Sequence, residues 1–122
     1  VKKVIIILSA LLLLVVIVYV GYMGLLASVI DNPKADTSTI KTKTITRIAE
    51  GSSYDIVFND AQGDRYYINR GLERGLNLDS LNTKILNKKV TLHLAKVLGG
   101  FVTSEHISQM TIENDIIYTE FN

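Results

Sequence analysis

The feature that most limits what this chain can become is the run from Val4 to Ile30, where 27 consecutive positions carry no charge and the centre is almost purely aliphatic. Ile5, Ile6, Ile7, Leu8, Leu11, Leu12, Leu13, Leu14, Val15, Val16, Ile17 and Val18 supply that centre. Coiled into a helix at 1.5 Å per residue the run is about 40 Å long, which exceeds a hydrocarbon core of roughly 30 Å. A cleaved secretory signal has a shorter apolar core and a pair of small residues flanking one position before the cut. Here Leu25 precedes Ala27, Leu26 precedes Ser28 and Tyr22 precedes Gly24, so that pair is missing. The sequence therefore predicts a retained transmembrane anchor over residues 1–30.

Lys2 and Lys3 abut the run directly, whereas the first basic residue beyond Ile30 is Lys34, followed by Lys41, Lys43 and Arg47 with Asp31 and Asp36 among them. The weighting of near positive charges predicts a cytoplasmic N-terminus and an extracytoplasmic C-terminal domain in the cell membrane. Tyr19 and Tyr22 suit an interfacial aromatic belt at the far end. Ala10, Leu14, Ile17, Gly21, Gly24 and Ser28 fall on one stripe, and its small outer residues Gly21, Gly24 and Ser28 form a candidate helix–helix interface. The plain alternative is that glycine is frequent in membrane helices.

Pro33 restricts Asn32 and removes a donor, so a stem over 31–39 separates the anchor from one soluble unit over 40–122. About 90 residues support a single small core. Beyond residue 30 the chain holds 11 basic and 12 acidic side chains, a balance that gives no reason to expect nucleic acid as a partner. The absence of cysteine excludes disulfides, thiolate metal sites, a cysteine nucleophile and a lipidated cysteine.

Alternation of period two marks strands. Tyr54, Ile56 and Phe58 alternate with Asp55, Val57 and Asn59, and Val90, Leu92 and Leu94 alternate with Thr91, His93 and Ala95. The turn-forming stretch Asn59 to Asp64 joins the first run to a returning strand over Arg65 to Asn69. The segment from Ile40 to Ala49 is rich in Thr and Ile but loses strict alternation, which predicts a strand with a bulge or bend. Leu78, Leu81 and Ile85 share the face of a helix over Leu78 to Lys88, capped by Asn77 or Asp79, with Lys84 and Lys88 near its end. A strand over Lys89 to Val97 follows, then a loop at Gly99 and Gly100. A last hairpin, Ile107 to Ile112 and Ile116 to Phe121, turns at Glu113, Asn114 and Asp115. A helix between the third and fourth strands is the connectivity of the OB-fold. The expected fold class is thus a transmembrane helix plus a small, mainly-β, OB-fold-like barrel of five or six strands.

The run Asp64-Arg65-Tyr66-Tyr67-Ile68-Asn69-Arg70-Gly71-Leu72-Glu73-Arg74-Gly75-Leu76, with Lys89-Val90-Thr91-Leu92 and the tail from His106-Ile107 to Ile117-Tyr118-Thr119-Glu120, resembles a group of small bacterial single-pass membrane proteins with an OB-like barrel. The resemblance implies a bacterial membrane location and carries no assigned chemistry. The segment Leu98 to Glu105 departs from it in being shorter and less aromatic.

Tyr66, Tyr67, Arg70 and Arg74, with Arg65 beside them, form a candidate binding face on which rings stack and arginines meet an anion. The alternative is one core tyrosine, one half-exposed tyrosine and ordinary surface arginines. Gly71 and Gly75 lack any Walker or dinucleotide pattern and read as a backbone turn. Asp60 and Asp64 lack the spacing of a cation loop and read as turn residues. His93 and His106 bring too few donors for a metal site. His93, on the outward face of its strand, is expected in solvent or in a structural hydrogen bond. Ser104 near His106 is too little for a catalytic triad. No cofactor, metal or catalytic residue is expected. The partners expected are the lipid bilayer and either a membrane protein or a second copy of the chain. The leading functional class is a non-enzymatic interaction module, and the alternative is a ligand-binding or sensing domain for a glycan, lipid headgroup or anionic small molecule.

Overall fold

The computed structural model describes residues 1–27 and 37–121. Helix α1, Lys2–Ala27, is long and apolar enough to span a membrane. Ser28, the end of the apolar run and the stem up to Asp36 lie outside the described residues.

The rest is a barrel of five strands with one strand added. Strands β1 (Thr39–Glu50), β2 (Ile56–Asp60), β3 (Arg65–Ile68), β4 (Lys89–Val97), β5 (Val102–Ile112) and β6 (Asp115–Thr119) run in the order β3-β2-β1-β4-β5-β6. A parallel pairing of Tyr67 with His106 joins β3 to β5 and closes the barrel. Helix α2, Leu78–Ile85, sits between β3 and β4, so the connectivity is that of the OB-fold.

Strand β1 is long because it serves two neighbours. Its first half pairs with β4, from Thr39 opposite Leu94 to Thr44 opposite Lys89, and its second half pairs with β2. The bulge that its broken alternation predicts lies between the pairs Ile45–Asp60 and Arg47–Asn59, with Thr46 as the extra residue. The Thr46 hydroxyl reaches the carbonyls of Asn59 and Asp60, both at 3.3 Å.

Apolar side chains from every strand fill the interior: Ile45, Ile56, Phe58, Tyr66, Ile68, Val90, Leu92, Leu94, Ile107, Met110 and Tyr118. Leu81 and Ile85 of α2 add to this core, and the Asn77 side chain caps the helix by accepting from the Ser80 N–H at 3.1 Å. The helix stops at Ile85 rather than Lys88. Leu86 is extended and Asn87 is left-handed, and the segment is held to β1 by Asn87 N–H to Ile45 O and Ile45 N–H to Lys88 O.

Two further expectations are corrected. Tyr54 is not the first residue of a strand; it ends a 3-10 turn, Ser52–Tyr54, in which Ser53 and Tyr54 both take positive φ and Tyr54 is exposed. The last hairpin is also longer on one side, because β5 begins at Val102. Two irregularities hide its periodicity: Leu94 pairs with Ile107 but Lys96 pairs with Thr103, and Ser108 is an extra residue before Gln109 meets His93. The Ser104 hydroxyl patches the first of these by donating to Ala95 O and accepting from His106 N–H. On the other side β6 ends at Thr119, two residues short of Phe121.

Candidate functional site

Polar side chains gather at two places. The first lies where β3 meets β5. The β5 irregularity turns His106 into a buried position, and its Nε2 lies 2.9 Å from Glu120 Oε2. The Tyr118 hydroxyl donates to the other carboxylate oxygen, Oε1. Burial alone would raise the Glu120 carboxyl, but the hydrogen bonds from His106 and Tyr118 hold it below the ordinary carboxylate range. An ionised carboxylate only accepts, so Nε2 of His106 carries the proton in this pair. Burial and the adjacent Glu120 charge push the Tyr118 phenol well above its usual range. Tyr67 closes the cluster edge-on against the His106 ring, with centroids 5.6 Å apart. Its phenol is raised by burial and by the negative charges of Asp55 and Glu105.

The candidate binding face divides over the two sides of the sheet. Tyr66 points into the core and Tyr67 points out, half-buried, as period-two alternation requires of neighbours on one strand. Arg70 stands at positive φ, its backbone N–H bonded to Asp55, and its guanidinium meets both oxygens of Glu73 at 2.6 and 3.0 Å. Arg74 donates from Nε to Asn69 O, and its charge acts on Glu120 and Tyr118. Arg65 pairs with Glu105 at 3.6 Å. Tyr67 and Arg74 therefore belong to the His106–Glu120 cluster, whereas Tyr66 and Arg70 do not.

The second place is the β2–β3 turn. Asp60, buried, accepts backbone N–H groups of Gln62 and Asp64 on Oδ1 and the Tyr66 hydroxyl on Oδ2 at 3.2 Å. Lys43 reaches both Asp60, at 3.5 Å, and Asp64, at 3.8 Å. An ammonium group thus occupies the position between the two carboxylates.

Gly71 is buried where an added Cβ would lie 2.8 Å from Ile56 Cδ1, and Gly75 takes φ +81°, so both glycines have structural reasons to be there. His93 is half-buried rather than freely exposed: its ring packs edge-on against Phe121 at 5.7 Å, and its buried Nδ1 has no hydrogen-bond partner among the described residues. Among the described residues, no atom lies within 4 Å of where a Cβ would project at Gly21 or Gly24. Among the described residues, no three His, Asp or Glu side chains group as metal ligands would.

The His106–Tyr118–Glu120 set was not legible in the sequence, because its members lie 14 residues apart on a hairpin and the residues just beyond it. Chemically it is a latch. The Ser104 hydroxyl is committed to Ala95 O, and the set fastens the residues after β6 to the barrel wall. Glu120→Ala is expected to destabilise the barrel by about 1.5–3 kcal/mol, the worth of hydrogen bonds to a charged group, with Glu120→Gln costing less. Thermal unfolding of the full chain in detergent, followed by circular dichroism, measures both.

One open groove of about 660 Å³ lies between α2 and the β5–β6 hairpin, lined by Thr83, Lys84, Lys88, Ile112, Glu113, Asp115, Ile116 and Ile117. Beside it the outer edge of β6 pairs with no other described strand, and Ile116 is 61 % exposed there. No protein-family model matches the chain, and no curated protein or solved structure matches it.

Proposed function

We propose that the chain is a membrane-anchored, non-enzymatic interaction module, an accessory or structural subunit of a bacterial cell-envelope membrane complex. In this reading α1 spans the membrane with its N-terminus in the cytoplasm, and the barrel stands on the extracytoplasmic side. The observation that carries it is the open edge of β6, with exposed Ile116 and the adjoining groove bearing Lys84, Lys88, Glu113 and Asp115. An unpaired edge offers backbone donors and acceptors to an incoming strand, and the flanking charges of both signs select which strand enters. Gly21, Gly24 and Ser28 serve in the same reading as the surface on which a partner helix, or a second copy of α1, approaches closely.

The ligand-binding alternative would use Tyr67, Arg70 and Arg74 toward a glycan, a lipid headgroup or an anionic small molecule. It is the weaker reading, because Glu73 already neutralises Arg70 and Tyr66 is committed to the core.

Purification of the full chain in mild detergent, with co-purifying proteins identified by mass spectrometry, tests the choice. A stoichiometric membrane partner is expected, and Ile116→Lys should reduce its recovery about tenfold while leaving stability within roughly 0.5 kcal/mol. Recovery as a lone monomer with saturable small-molecule binding, lost in a Tyr67→Ala, Arg70→Ala variant, would replace this reading with the alternative.

A further inference from the structure

The turn between β4 and β5 has no role in the latch, the turn network or the β6 edge, yet it gathers exposed apolar side chains at one tip. Leu98, Gly99 and Gly100 take positive φ in succession, at 54°, 67° and 94°, which folds the tip tightly and thrusts the next side chain outward. Phe101 is 92 % exposed, with Leu98 at 42 % and Val102 at 43 % beside it and exposed Lys96 just behind. Isolated exposed hydrophobic residues are ordinary, but three within five consecutive residues at a protruding tip form a patch.

The position of the tip identifies what covers it. Helix α1 lies against the Leu98–Gly100 turn. Thr37 lines a depression with Lys96, Gly99 and Gly100, and the Thr39 hydroxyl hydrogen-bonds the Thr103 hydroxyl at 2.7 Å. The chain coming from the anchor therefore enters the barrel at this tip. An apolar wedge with a basic residue at its base, held at the end of a membrane span, has the composition that inserts into the boundary between headgroups and acyl chains.

We propose that the β4–β5 tip, led by Phe101, is a second membrane contact. It dips into the interface beside α1, while Lys96 meets anionic headgroups, so the barrel sits on the bilayer in one fixed orientation. Two linked attachments act together because the first holds the second at high effective concentration. The inference rests on the reading of α1 as a membrane span.

The chain contains no tryptophan, so one introduced indole reports on one position. Full-length Phe101→Trp, Ile116→Trp and Tyr19→Trp variants are reconstituted into vesicles of phosphatidylethanolamine and phosphatidylglycerol, with and without lipids carrying a nitroxide near the headgroup. The Phe101→Trp indole should emit at shorter wavelength than that of Ile116→Trp and be quenched about threefold more by the nitroxide lipid. Aqueous iodide should show the reverse order. If Phe101→Trp behaves like Ile116→Trp while Tyr19→Trp is shielded from iodide, the second contact is overturned and the span survives. A blue-shifted Phe101→Trp emission that nitroxide lipid does not quench would also overturn it, since a protein surface would then cover the tip. Iodide-accessible Tyr19→Trp would remove the span and the proposal together.

Discussion

Asp60→Ala should destabilise the barrel by about 3–5 kcal/mol, the usual cost of removing one partner from a buried charged network. The side chain is inaccessible to solvent and accepts from three donors, the N–H groups of Gln62 and Asp64 and the Tyr66 hydroxyl, while pairing with the Lys43 ammonium at 3.5 Å. Truncation leaves the Tyr66 hydroxyl in the core without its partner and releases the turn that joins β2 to β3. Chemical unfolding of the full chain in detergent, followed by far-ultraviolet circular dichroism, measures the loss. A cost below about 1 kcal/mol would mean that water replaces the carboxylate without penalty.

The same residue sets a pH dependence. Burial works to raise the Asp60 carboxyl, but the backbone donors, Tyr66 and Lys43 outweigh it and hold it below its ordinary value. A depressed carboxylate contributes stability above its unfolded value near pH 4, and that contribution is lost as pH falls through the folded value. Glu120 adds to the loss in the same direction. At the alkaline end, burial and the Asp60 charge push Tyr66 up to about 12. Its contribution is complete below the unfolded value near 10 and is lost as pH rises toward the folded one. Asp60→Asn should flatten the acid limb while keeping much of the turn geometry.

Phe58→Ala is the second large effect, at about 3–5 kcal/mol. Phe58 is fully buried in the core and lies opposite Ile48 on β1 and Tyr66 on β3. Removing the ring leaves a cavity that three strands must collapse to fill, and a closed barrel is poorly able to do so. A barrel of this size has a total stability of only about 5–10 kcal/mol, so the variant should lose at least about 12 °C of thermal midpoint. Phe58→Leu, which restores most of the volume, should lose under half as much. Phe58 and Asp60 share one face of β2, and Tyr66 touches the chemistry of both. The double variant should therefore cost less than the sum of the single ones.

Much of this fold could be read from residue pattern because its elements obey local rules. The β4 boundaries at Lys89 and Val97, the start of α2 after Asn77 and the bulge in β1 all follow from alternation, a capping side chain and lost periodicity. What could not be read depends on exceptions to those rules. Tyr54 continues the alternation of Ile56 and Phe58 but is diverted because Ser53 and Tyr54 itself take a left-handed backbone at the end of the turn. The early start of β5 is hidden by extra residues that break its period. Neighbouring Tyr66 and Tyr67 look like one aromatic patch until the strand separates them onto opposite faces. The latch joins His106 to Glu120 across a hairpin, and only the register of β5 against β6 brings them together.

Strand β1 lies between β2 and β4, and the two sides of it form on different schedules. Its pairing with β2 is local, whereas Thr39 must find Leu94 and Tyr67 must find His106 across long stretches of chain. Such distant pairings slow folding. During synthesis β1, β2 and β3 leave the ribosome before β4 and β5, so the β1–β2–β3 meander waits with the β4 side of β1 uncovered. That waiting interval is the chain's period of greatest exposure to misassembly, and it ends only when β4 and β5 arrive to close the wall.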